Sequence, residues 1–173
     1  MPPVCKRMPN KYKPPPSGPL EHVLPRPCTS GRMSGMANEH EALAVFLGDW
    51  SASGTAYGAD RQGTEWRSVH SSRWHTGDFF VVQDERANGP FDTMSFLGWD
   101  PERETYFSWS IENHGFAREY LVRRDGQVWT FSGETERATI TFSADGRTQT
   151  HHWEFRPDDA WVTLCDRVAT RVD

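Results

Sequence analysis

From Trp50 to the C-terminus, polar and apolar residues alternate with a period of two, interrupted at short intervals by turn residues. A period of two places successive side chains on opposite faces of a strand. Runs near 50–57, 64–75, 79–86, 91–99, 104–112, 116–123, 127–133, 136–143, 147–156 and 160–170 carry the pattern, which predicts about ten strands. Between them stand Asn88-Gly89, Asn113-His114-Gly115, Asp125-Gly126 and Asp145-Gly146, residues that reach the positive φ angles of tight hairpins. Asp100-Pro101 and Pro157-Asp158-Asp159 mark two further turns. No run suits a helix long enough for a parallel crossover, so neighbours in sequence should be antiparallel neighbours in space. Only ahead of Trp50 does the period lengthen. Asn38 can cap a short helix with Glu41 three positions on, Leu43, Phe46 and Leu47 form its apolar stripe, and Gly48 stops it.

So many strands in one small domain must hide their edges, and closure into a barrel does so. The expected architecture is therefore all-β: a ten-stranded antiparallel meander closed into a barrel, with one short helix capping an end. A barrel of this strand number is wide enough to keep an internal cavity. Two strands suggest what faces it. Trp66, Ser68, His70, Ser72 and Trp74 share one face of the second strand, and Phe107, Trp109 and Ile111 oppose Ser108, Ser110 and Glu112 on the fifth. The aromatic face is the one expected inside.

Residues 1–36 differ in kind. Nine prolines interleave with Lys and Arg, and aliphatic residues are few, so this segment is expected to be disordered, with residues 37–173 forming the domain. Met33 and Met36 could each serve as a start, which would make the segment an upstream extension. Eight Trp and ten Phe give the domain large side chains for a core. The net charge of -5 is spread among mixed signs without a Lys/Arg stripe, which argues against nucleic acid. No apolar run approaches the roughly 20 residues that span a bilayer. Cys5, Cys28 and Cys165 match neither a disulfide framework nor a metal pair, and no secretory apolar stretch is seen, so a reducing cytoplasm is the expected compartment. Self-association as a homodimer is left open.

The run Glu39-His40-Glu41-Ala42-Leu43 through Phe46-Leu47-Gly48-Asp49-Trp50, followed by Gly54, resembles the opening of the bacterial lipocalin-like proteins grouped as domain of unknown function 1579. Gly98-Trp99-Asp100-Pro101 with Tyr106 and Trp109 resembles that family's second landmark. The resemblance spans roughly Asn38 to Arg171 and implies a lipocalin-like (calycin) barrel, with no established activity attached. A more distant similarity is to nitrobindins and fatty-acid-binding proteins. Ala52 stands where the nitrobindin Gly-x-Trp-x-Gly-x-Gly signature has its next glycine, and the strand from Ala160 to Thr170 lacks the His through which nitrobindins bind haem.

The candidate site residues follow from facing and chemistry. His70, between Trp66 and Trp74, suits an interior hydrogen-bonding or general-base role, or else is a core histidine satisfied by Ser68 or Ser72. His151 shares a face with Trp153 and Phe155, whereas His152 points the other way, so the two cannot chelate one metal. A His70–His151 pair across the barrel would give a haem or metal site, but nothing in the sequence sets their distance, and no metal or cofactor is expected. Arg118 and Tyr120 place a guanidinium and a phenol on one face, as a carboxylate grip or as an ion pair to Glu112 or Glu119. Trp66, Trp74, Trp109, Trp129 and Trp153 would either line a cavity or fill it, with Trp50 a structural plug. Cys165 shares a face with Arg167, and an inert buried thiol is the plainer reading. Catalytic triads and phosphate loops have no pattern here. The leading expectation is a barrel binding a small hydrophobic or aromatic molecule, with or without an acidic group, through Trp66, His70, Trp74, Trp109, Arg118, Tyr120, Trp129, His151 and Trp153. The alternatives are an enzyme of isomerase, cyclase or hydratase type using His70, Tyr120 and Arg118, a haem binder, and a filled structural barrel.

Overall fold

The computed structural model describes residues 39–89 and 91–172. The proline-rich segment and the Asn38 cap lie outside the described residues. Ten strands follow one helical segment: β1 (Gly48–Tyr57), β2 (Gly63–Trp74), β3 (Phe80–Ala87), β4 (Asp92–Asp100), β5 (Thr105–Glu112), β6 (Ala117–Asp125), β7 (Val128–Ser132), β8 (Glu136–Phe142), β9 (Thr148–Phe155) and β10 (Val162–Val172). Each pairs antiparallel with the next, and β1 closes the ring against β10. The meander read from the alternation is thus the observed one, with no strand end displaced by more than two residues from the runs given above. Positive φ at Gly115, Gly126 and Gly146 supplies three of the expected turns. Asn88 does different work in its loop: its amide donates to Glu65 O (3.1 Å) and its Oδ1 accepts from Arg67 N (3.1 Å), tying the β3–β4 connection to β2.

The opening segment is helical over residues 39–46, tightening into a 3-10 turn at Leu43–Phe46. Leu43 and Phe46 are buried in the barrel end, which they close as a plug. Phe46 meets Trp129 and Phe142 edge-on, with centroids 4.9 and 5.0 Å away. The Trp50 indole N–H donates to Phe46 O (3.1 Å), so the first strand ties down the turn that precedes it. Gly48 joins the two at φ 110°, a conformation side chains resist. An added Cβ there would also sit 2.6 Å from Arg171 Nη1, and Arg171 is committed: it donates to Leu47 O (2.7 Å) and lies over the Trp50 ring at 4.5 Å.

The inner surface corrects one expectation about facing. On β5 the inward residues are Tyr106, Ser108, Ser110 and Glu112, while Trp109 is 56% exposed on the outside. Outer-face aromatics have their own partners: Phe80 and Phe107 pack edge-on over Gly98, where a Cβ would lie 2.5 Å from Phe80 and 3.0 Å from Phe107. A half-polar interior inverts the rule that the aromatic face is the core face. On β2 the rule holds, with Ser68, His70 and Ser72 buried.

Candidate functional site

Above the Phe46 plug the barrel encloses a cavity of about 310 Å³. Its apolar lining includes Val81, Leu97, Phe131 and Ile140, with Trp66 and Trp153 further up the wall. Against this background stand carboxylates, a guanidinium, two amides and an imidazole, most of them arranged in two polar clusters and a ladder.

The first cluster is made by a gap in the wall. Trp66 of β2, Gly54 of β1 and Arg167 of β10 are cross-strand neighbours in one row. A Cβ at Gly54 would lie 2.0 Å from Asp166 O and 2.5 Å from Arg167 Cα, so only glycine permits this approach of β1 to β10. Across the gap, the Arg167 guanidinium reaches over the Trp66 ring at 5.3 Å. It then spans β1 and β2 to Glu85 on β3, forming a two-pronged ion pair of Nη1 to Oε1 and Nη2 to Oε2. The Ser68 hydroxyl donates to the same carboxylate (2.7 Å), and the Trp66 indole N–H donates to Ser68 Oγ (3.1 Å). Arg167 and Glu85 are 8% and 5% exposed. Burial alone would raise the Glu85 carboxyl, but Arg167, His70 and Ser68 together hold it below its ordinary value.

The second cluster stands on β5, β6 and β8. Arg118 bridges Glu112 (2.8 Å) and Glu136 (3.1 Å), and the Tyr120 hydroxyl donates to Glu136 Oε2 (3.1 Å). Burial raises both the Glu136 carboxyl and the Tyr120 phenol; Arg118 opposes this at both groups, and Glu136 adds to it at the phenol. Burial works against the Arg118 charge, yet its two carboxylates more than restore it.

The ladder is the inward edge of β9: Gln149, His151 and Trp153, all lining the cavity. His151 Nε2 and Gln149 Oε1 are 2.9 Å apart. Burial, reinforced by Arg167 and His70, pushes the His151 imidazole well below its usual value and keeps it neutral. Cys165 sits beside the ladder opposite Trp153, where burial raises its thiol to about 11. An irregularity between Thr163 and Cys165 turns both Leu164 and Cys165 to the cavity.

Of the residues expected at the site, Trp66, Tyr120, His151 and Trp153 line this cavity. Arg118 holds two carboxylates that line it. His70 is buried but does not line it: its ring stacks on Trp50 at 5.9 Å, and its centroid is 6.4 Å from that of His151. Burial lowers its pKa to about 4, against a raising effect of Glu85. Trp129 belongs to the core around the plug, Trp74 packs against that core, and Trp109 stands outside the barrel. Among the described residues no group of three His, Cys, Asp or Glu side chains could hold a metal ion, and no helix is long and apolar enough to cross a membrane. Sequence reasoning passed over Glu85, Gln149 and Glu136; Glu112 entered it as one possible ion-pair partner of Arg118, the pair that the structure shows at 2.8 Å. A signal was present: Glu85 is the one charge among the inward positions of β3, and Arg167, of opposite sign, stands at an inward position of β10.

The M. tuberculosis protein Rv2717c has a similar crystal structure, with a TM-score of 0.60 at 15% identity, covering 80% of this chain and 99% of that one. The S-type phycobiliprotein lyase CPES of Guillardia theta is a weaker likeness, with a TM-score of 0.43 at 11% identity, covering 80% and 97% of the two chains. The first likeness shows the fold. No curated protein matches the chain. The family described as "Protein of unknown function (DUF1579)" matches residues 36–158.

Proposed function

The chain belongs to the DUF1579 family of proteins of unknown function, and from that premise we propose that it is a binding barrel, enclosing one small and largely apolar molecule. The observation that carries this reading is the cavity of about 310 Å³ above the Phe46 plug. Its volume lies at the lower end of the roughly 300–1,000 Å³ typical of small-molecule sites. A barrel built only for stability would be filled at the density of a crystal. Here Ser95, Ser108 and Ser110 occupy inward positions of β4 and β5 that larger side chains could fill.

Titration with N-phenyl-1-naphthylamine, a neutral apolar fluorophore, tests the reading. Saturable binding of one probe per chain is expected, with quenching of tryptophan emission through Trp66 and Trp153. Replacing Ser108 by Phe should fill the cavity and weaken binding at least ten-fold while the variant stays folded by circular dichroism. Unsaturable binding, or binding indifferent to Ser108→Phe, would show that the probe does not enter the barrel.

An acid–base enzyme is the second reading, favoured by a neutral imidazole facing the cavity at His151. In that case the proton-transferring group is His151 rather than His70, which does not line the cavity, or Tyr120, whose phenol is raised and already bonded to Glu136.

A further inference from the structure

Two features of the cavity wall bear on which molecule it takes. The first is charge. Glu85, Glu112, Glu136 and Arg167 are the Asp, Glu, Lys and Arg side chains that line the cavity. Arg167 is engaged by Glu85, and the nearby Arg118 by both Glu112 and Glu136. Among the described residues, an entering carboxylate or phosphate therefore meets a surplus of negative charge and no guanidinium without a carboxylate partner. Taking it out of water carries a desolvation penalty that no unpaired positive charge on the wall offsets.

The second is a row of polar atoms that the protein leaves without partners. On β9 they are Gln149 Nε2, His151 Nδ1 and Trp153 Nε1, and on the adjoining strand β10 Arg167 Nε. Each belongs to a residue lining the cavity, and Gln149 and His151 are only 1% and 3% exposed. An unpartnered buried donor or acceptor keeps its full desolvation penalty, so four on one patch of wall are a substantial burden for a structural barrel to carry. The Gln149–His151 bond fixes what the pair can offer. With His151 Nε2–H donating to Gln149 Oε1, the amide N–H₂ remains as donor and imidazole Nδ1 as acceptor. Turning the amide over exchanges the two roles, so one donor and one acceptor are left in either case. Arg167 Nε–H and the Trp153 indole N–H add two donors.

We propose that the barrel's ligand is a neutral, largely apolar molecule whose polar group both donates and accepts hydrogen bonds, a primary carboxamide or a hydroxyl, seated against Gln149, His151, Trp153 and Arg167. The proposal rests on the binding-barrel reading and names the chemistry of its site. The group's oxygen takes the Arg167 and Trp153 donors, and its N–H or O–H meets the acceptor of the Gln149–His151 pair. The apolar body fills the space toward Phe131, Ile140 and Leu97.

Four naphthalenes of nearly one shape separate the alternatives by calorimetric titration: 2-naphthamide, 2-acetylnaphthalene, 2-naphthoate and 2-ethylnaphthalene. The amide should bind at least five-fold tighter than the ketone, which only accepts, and than the carboxylate, which is charged. Gln149→Met, close to the native side chain in shape, should weaken the amide at least ten-fold and leave 2-ethylnaphthalene within two-fold. Trp153→Phe provides a milder second variant, with a loss of at least three-fold for the amide. Carboxylate binding as tight as amide binding overturns the proposal, as does an amide no better than the ketone or indifferent to both substitutions. If the hydrocarbon binds and the amide does not, this assignment fails while the binding-barrel reading stands. If none of the four binds, the binding-barrel reading falls and takes this one with it.

Discussion

Glu85 and Arg167 show how a buried charge is tolerated in this barrel: each is the other's partner, and Ser68 satisfies one of the lone pairs that remain. Removing one member leaves the other unpaired in a site of low polarity. Arg167→Met should therefore lower the free energy of unfolding by about 3–5 kcal/mol, read from urea denaturation. The double variant Glu85→Leu/Arg167→Met should lose less than the single one, and a double variant that loses the sum of two independent costs would contradict the pairing. The histidines nearby make stability depend on pH. As pH falls through 6.5, unfolded imidazoles take up protons that the buried His70 and His151 refuse. Stability should therefore drop between pH 6.5 and about 4, where His70 itself protonates, by roughly 3 kcal/mol for His70. Glu85, whose folded value is lowered, adds its own loss only below the ordinary carboxylate range, while Glu136, whose value is raised, works in the opposite direction. His70→Phe should flatten the slope above pH 4.5, and an unchanged slope in that variant would place its origin elsewhere.

At the scale of the element, strand bounds and neighbours were legible because they rest on period and turn chemistry, both local. The β6–β7 and β8–β9 hairpins follow from Asp125-Gly126 and Asp145-Gly146, and the helix from the Leu43, Phe46, Leu47 spacing ahead of Gly48. Facing was legible only where the apolar face was also the inner one. On β2 the two agree; on β5 they part, because Ser110 and Glu112 meet partners on other strands that local sequence does not encode. The same holds for Glu85, whose partner lies 82 residues away. Gly54 illustrates the difference: in sequence it is one small residue in a strand, and in the barrel it is the point where β1 comes against β10. Because the obstruction is backbone, a side chain cannot move it aside. Gly54→Val should cost about 1–3 kcal/mol or more, and a thermal melt equal to that of the native chain would show that the β1–β10 seam gives way more readily than this packing implies. At the plug, Phe46→Ala should cost about 3–5 kcal/mol, since its ring is held edge-on by Trp129 and Phe142.

For the whole molecule, the inside and outside of a closed barrel are fixed together. Side chains alternate with a period of two and every strand is paired on both sides, so a slip of one residue in β5 would turn Trp109 inward and carry Ser108, Ser110 and Glu112 out of the cavity. The facing of one tryptophan therefore reports on the wall against which a ligand would lie. Trp109 is the single exposed tryptophan among the described residues, whereas Trp50 and Trp129 are buried and the rest are intermediate. Iodide, an aqueous quencher, should draw most of its effect from Trp109, and Trp109→Phe should remove most of the quenching slope while changing stability by no more than about 0.5 kcal/mol. An apolar ligand in the cavity should quench Trp66 and Trp153 to the same extent in both proteins, because these two line the opposite surface of the wall. If the iodide slope survives Trp109→Phe, or if that substitution weakens ligand quenching, β5 presents its other face to the interior. The serines and Glu112 would then lie outside, and the cavity would be an aromatic pocket.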